Sequence, residues 1–161
     1  MPLCPLLARC GGRRRKAQCN PSAPPRLDLG PDPEDPKLTP TALRTRLATR
    51  HGAIKPVLLD QSVVAGVGNI YAQEACWHAR LAPTARASSL STARVERLLD
   101  ALRRALAAGH VNAGHYHRGE REIPFKVYAR KGEPCLRCGT KIRQITQSQR
   151  STFFCPRCQA R

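Results

Sequence analysis

Between Thr39 and Gly109 apolar residues recur at helical spacing. Leu43 and Leu47 stand four apart, on one helical face. Val95, Leu98, Leu99, Leu102 and Leu106 form one stripe at the 3.6-residue period and predict a helix over 92–108. Ser91 is placed to cap that helix and Gly109 to stop it, while Arg94, Arg97, Arg103 and Arg104 occupy its other face. After a break at Gly52, the run Ile54-Lys55-Pro56-Val57-Leu58-Leu59 reads as a helix start, since Pro56 is tolerable only in a first turn. Gly66-Val67-Gly68-Asn69 interrupts the chain again, and a helix over 70–78 follows, with Asn69 as its N-cap. Residues 1–37 show no periodicity. Pro21, Pro24, Pro25, Pro31, Pro33 and Pro36 would break any helix or central strand there. Residues 111–124 read as a polar linker. Beyond them, residues 141–154 suit a hairpin of short strands. The expected organisation is a basic, Pro-rich lead-in (1–37), a mainly α helical domain (38–110), a linker (111–124) and a small β zinc ribbon (125–161).

Charge sharpens this picture. The 161 residues carry 28 Lys+Arg against 11 Asp+Glu, a formal net charge of +17. An excess of this size repels itself in a compact fold and is usually kept for a polyanion. Nucleic acid is the first candidate and an anionic membrane surface the second. Arginine dominates the excess, and its planar fork of donors matches phosphate oxygens. No run of about 18 apolar residues is present to span a membrane. The short apolar stretch at the N-terminus precedes its basic cluster, Arg13-Arg14-Arg15-Lys16, the reverse of a secretory signal. A cytoplasmic protein is therefore expected, in which eight cysteines serve as metal ligands or free thiols rather than disulfides.

Four of those cysteines are ordered. Cys135-Leu-Arg-Cys138 and Cys155-Pro-Arg-Cys158 are CxxC pairs with 16 residues between them. Each pair can bring two sulfurs to one ion from a tight turn, and two such turns complete a tetrahedral thiolate site. The reading is one structural Zn2+, with a redox dithiol as the rival. Cys4, Cys10, Cys19 and Cys76 are too irregularly spaced for a second site, and His115 and His117 form only a linker His pair. From Lys126 to Arg161 the chain holds nine Lys/Arg (126, 130, 131, 137, 141, 143, 150, 157, 161) and one acid, Glu133. Such density on a rigid hairpin favours DNA or RNA contact.

The second informative stretch is Gly66-Val-Gly-Asn-Ile-Tyr71. Two glycines before a helix allow a tight turn and close backbone approach. The helix N-terminus then offers free amide donors and partial positive charge to a phosphate. Arg50 and Lys55, just upstream, add cations.

Taken together, Ile54-Lys55-Pro56…Leu59-Asp60-Gln61…Gly66-Val-Gly-Asn69-Ile-Tyr71-Ala-Gln-Glu74 resembles the helix–two-turn–helix of the formamidopyrimidine-DNA glycosylase/endonuclease VIII family, closest to its formamidopyrimidine branch. Val127-Tyr128-Ala-Arg130-Lys-Gly132-Glu-Pro134-Cys135, followed by Gln149-Arg150-Ser-Thr152-Phe-Phe-Cys155-Pro-Arg-Cys158-Gln159, is similar to its zinc-finger end. Leu29-Gly30-Pro31-Asp32-Pro33 is similar to the stretch before its helical domain. The resemblance spans residues 27–161. It implies excision of oxidised purines from double-stranded DNA followed by strand cleavage at the abasic site. Asn69 and Lys55 would grip phosphates flanking an everted nucleotide, with Gly68 and Tyr71 beside them also expected to bind DNA. Arg50 falls where the family has a DNA-contacting basic residue. Arg150, at the hairpin tip, would reach the same phosphates, and the family assigns that arginine the later elimination step.

Nothing before residue 27 matches the family's catalytic N-terminal β-sandwich, which starts at a proline amine followed by a glutamate. Pro2 here is followed by Leu3, and residues 110–124 lack the family's glycine-rich lesion-covering loop. The expectation is thus a damaged-DNA-binding half of a base-excision repair enzyme without its catalytic domain. The alternative is an active glycosylase/AP lyase that uses Pro2 or a separately encoded catalytic half. An RNA-binding ribbon is a third reading, against which Gly66–Tyr71 argues.

Overall fold

The computed structural model describes residues 28–111 and 125–159, with side chains through Gly109 in the first stretch. Expectations for Pro2, the Arg13–Lys16 cluster, Cys4, Cys10, Cys19, His115 and His117 fall outside the described residues.

Four helices come first: α1 (Pro40–Ala48), α2 (Ile54–Leu58), α3 (Asn69–His78) and α4 (Thr92–Val111). Thr39 caps α1, its hydroxyl accepting the Ala42 N–H at 3.2 Å, and Pro40 takes the first helical position, where its missing N–H costs nothing. Leu43 and Leu47 are buried as their spacing predicts, as are Val95, Leu98, Leu99, Leu102 and Leu106 of the α4 stripe. α3 packs chiefly on α4, and α1 closes the other side. The joint core, including Ile54, Leu58, Val64, Ala72 and Ala75, is aliphatic, with Tyr71 packed at its margin.

Two details differ from the sequence expectation. Asn69 is not the cap of α3 but its first residue; Gly68 holds the cap position in extended conformation with no side-chain cap bond. Gly109 does not stop α4, which runs on to Val111. It serves packing instead, because a Cβ at that position would collide with the Tyr71 phenol. On the polar face of α4, Arg103 donates to the carbonyls of Pro33, Asp35 and Leu38, pinning the segment before α1 to α4.

The second unit is an antiparallel hairpin, β1 (Arg143–Gln147) and β2 (Arg150–Phe154), paired from Arg143↔Phe154 to Gln147↔Arg150. Its two-residue loop puts Ser148 and Gln149 at φ +48° and +58°. Two positive φ values make this a type I′ turn, whose twist matches the strands but which favours Asn-Gly over Ser-Gln. A small core of Val127, Cys135, Ile142 and Cys155 is completed by Trp77, which comes from α3. Among the described residues no helix is long and apolar enough to cross a membrane.

Candidate nucleic-acid interface and metal centre

The hairpin reaches the helices through polar side chains on α3. Gln73, fully buried, donates to the Asn69 carbonyl at 3.0 Å and accepts the Phe153 N–H at 2.7 Å. Glu74 accepts three successive backbone N–H groups: Lys126 on one carboxylate oxygen, Val127 and Tyr128 on the other. Gln147 donates to the Pro83 carbonyl, and Gln159 bridges the Cys155 N–H to the Leu81 carbonyl. These contacts fix the hairpin tip beside the start of α3.

There the predicted residues meet. Lys55 is fully buried, and its ammonium donates to the Thr152 hydroxyl of β2 at 2.9 Å. Burial, then the neighbouring Arg150 guanidinium, lower its pKa from the usual 10.5, with Cys76 opposing. Asn69 donates weakly to the Ser151 carbonyl at 3.5 Å, while its side-chain oxygen is buried without a partner. Arg150 is exposed at the mouth of the site and meets no acceptor among the described residues. Two sources of positive charge and a helix start without a side-chain cap therefore sit together. Such a grouping can receive an anion through free amides and fixed cations.

Other predicted residues are placed differently. Arg50 pairs with Asp60 at 3.0 Å and donates to Ser62 at 3.1 Å; no contact joins it to Lys55, Asn69 or Arg150. Asp60 is held below its usual range by the Ser62 hydroxyl and N–H first and by Arg50 after them. The Tyr71 ring is committed to the α3–α4 contact at Gly109. Gly68 supplies the exposed extended residue that leads into α3. Cys76 is a buried core thiol, pushed up to about 12 by burial.

At the far end of the hairpin, the sulfurs of Cys135, Cys138, Cys155 and Cys158 all lie within 4.8 Å of one another. The Cys135–Cys158 and Cys138–Cys155 separations are 3.9 and 3.5 Å. A tetrahedral zinc with bonds of about 2.3 Å spaces its sulfurs at roughly 3.8 Å, whereas a disulfide needs about 2.05 Å. The Arg137 N–H points at the Cys135 sulfur and the Cys158 N–H at the Cys155 sulfur. Burial raises the Cys135 thiol, but hydrogen bonding to it, from the Arg137 N–H first, outweighs burial and brings it below the usual value. The Trp77 N–H is buried and reaches no acceptor at hydrogen-bond geometry; a metal-bound thiolate at Cys135 would give it one. The donor set fits one zinc ion.

This combination of folded parts has known counterparts. The family described as the formamidopyrimidine-DNA glycosylase H2TH domain matches residues 29–117, and the zinc finger found in FPG and IleRS matches residues 132–161. The formamidopyrimidine-DNA glycosylase of Symbiobacterium thermophilum is 46% identical over 146 residues, covering 84% of this chain and 48% of that protein. A MutM structure in complex with carbocyclic 8-oxo-G containing DNA superposes with a TM-score of 0.77 at 34% identity, over 83% of this chain and 52% of that one. Lactococcus lactis Fpg, in complex with abasic-site DNA, gives 0.77 at 32% identity over the same shares. A helical H2TH unit joined to a zinc-finger hairpin is the architecture these proteins have in common, and the chain belongs to the formamidopyrimidine-DNA glycosylase family. It spans about half the length of the curated relatives it matches.

Proposed function

We propose that this chain binds damaged or abasic-site double-stranded DNA in base-excision repair, as the DNA-binding half of a formamidopyrimidine-DNA glycosylase. The carrying observation is the convergence of Asn69, Lys55 and Arg150 on one uncapped helix start. Arg150 and the first amides of α3 take the phosphate directly. Asn69 turns its amide to that phosphate when the weak bond to Ser151 is given up. Lys55 acts from behind, as a buried charge that a phosphate neutralises and that Thr152 aims. Arg50 steadies the α2–α3 connection through Asp60 and Ser62 rather than joining this grip.

The helical unit (38–110) and the finger (125–161) act as one clamp, because Gln73, Glu74, Gln147 and Gln159 lock their relative positions. The grouped residues hold a phosphate. They offer no carboxylic acid and no solvent-facing amine, so base excision by the protein draws its nucleophile from other residues. By family resemblance Arg150 also assists the elimination that follows.

The test is binding to a duplex with one tetrahydrofuran abasic analogue, measured for wild type, Asn69→Ala and Arg150→Ala. Each charged or phosphate-directed hydrogen bond contributes about 1.5–3 kcal/mol, so each variant should lose roughly 10- to 100-fold in affinity. Wild-type affinity in both variants would refute the assignment.

A further inference from the structure

The zinc centre has an outer ring of side chains that the CxxC spacing does not announce. Arg80, Arg137 and Arg157 line, together with Cys138 and Cys158, an open hollow of about 500 Å³ on the solvent side of the four sulfurs. None of the three pairs with a carboxylate among the described residues. Arg137 is held in place: its guanidinium carbon lies 3.8 Å above the Trp77 ring and one N–H donates to the Trp77 carbonyl at 3.1 Å. Arg80 follows the C-cap of α3 with φ +54°, a conformation glycine adopts freely and other residues only at a cost. An arginine is thus kept at a strained position whose neighbours are the metal-binding sulfurs. Trp77, beneath Arg137, packs in the same small core as Cys135 and has a buried indole N–H without a partner.

The charges explain the arrangement. Four thiolates and one divalent ion carry a formal net charge of −2, and Cys138 and Cys158 are only partly covered. A concentrated anion at a surface is stabilised by fixed cations close to it. The hollow is a poor site for an added anion, because thiolates form part of its wall.

We propose that Arg80, Arg137 and Arg157 form a guanidinium collar that, with the Trp77 indole N–H, retains the zinc, so that two of the four positioning groups come from the α3 region rather than from the finger. The proposal rests on the reading of the centre as a zinc site. It makes metal retention a joint property of helices and finger: undocking the finger from α3 removes half of the ring.

The experiment loads the full chain with zinc, confirms one zinc per chain, and follows release to an excess of a chromogenic chelator. Groups of this kind typically change metal affinity by about 10- to 100-fold. Arg80→Gly and Arg157→Gln should each release zinc about tenfold faster, and Trp77→Phe should too. Arg80→Lys, which keeps the charge, should stay near wild type. Arg143→Gln, an exposed charge change on β1, should not alter release. The Arg80→Gly result is the most telling, since glycine relieves the backbone at that position and general destabilisation cannot account for faster release. Wild-type release from Arg80→Gly and Arg157→Gln, or equal acceleration by Arg143→Gln, overturns the collar. A wild-type chain that purifies with and takes up no zinc would instead overturn the metal reading beneath it.

Discussion

Glu74 gives the most demanding test of how the two parts are joined. Its carboxylate is 6% exposed and accepts N–H groups from Lys126 at 2.8 Å and from Val127 and Tyr128 at 3.0 Å. In Glu74→Ala those three donors lose their acceptor. A hydrogen bond to a charged group contributes about 1.5–3 kcal/mol, and a buried donor left unpaired costs about 1–3 kcal/mol. The three bonds share one carboxylate, and Lys126 and Tyr128 are half-buried, so water recovers part of the loss. The expected destabilisation is about 3–4 kcal/mol, a large share of the 5–15 kcal/mol typical of a domain. Glu74→Gln should cost less, because one oxygen can still accept two N–H groups while its new NH2 opposes the Lys126 donor. The assay is urea unfolding followed by tryptophan fluorescence. Trp77 is the chain's one tryptophan and sits in the core of the finger. A loss below about 1 kcal/mol in Glu74→Ala would refute the idea that this carboxylate docks the finger. The stakes are functional, since Glu74 lies five residues after Asn69 on α3, about 7.5 Å along the axis.

Two further predictions follow from the same site. Gln149→Gly should stabilise the hairpin by about 1 kcal/mol, because a left-handed non-glycine residue costs roughly 1–2 kcal/mol; an unchanged or lowered thermal midpoint would count against the strained turn. Lys55, with a pKa below 10.5 in the free protein, sheds its proton in the folded state before it would in the unfolded one. The burial cost of its charge is thus present below that lowered value and is relieved as pH rises through it. A bound phosphate favours the charged form, so DNA affinity should weaken as pH rises toward 10.5 and should do so less in Lys55→Met. Identical pH profiles for the two proteins would show that Lys55 does not sense the phosphate.

The zinc site and the α4 stripe were legible in the sequence because each is a local pattern: ligands at fixed spacing, or leucines at one period. Asn69 and Lys55 were legible locally, as a helix start after two glycines with a cation upstream, but their meeting with Arg150 was legible only through the family resemblance, since Arg150 lies 81 positions beyond Asn69. What stayed hidden was the connecting work of polar residues. Gln73, Glu74, Gln147 and Gln159 look like ordinary surface residues, yet each bonds a group in the other unit. Nothing periodic marks a side chain whose partner lies 50 to 80 residues away. Gly109 was read as a helix stop because glycine often is one, whereas the space it leaves is filled by Tyr71.

The central claim is that the helix start and hairpin tip together hold a phosphate beside a displaced nucleotide. The most direct measurement compares the affinity of the chain for a tetrahydrofuran-containing duplex and for the same duplex intact, across a range of salt. The account predicts tighter binding to the abasic duplex, with affinity on both falling as salt rises because phosphate contacts displace counterions. Equal affinity for the two duplexes, or binding indifferent to salt, would contradict it.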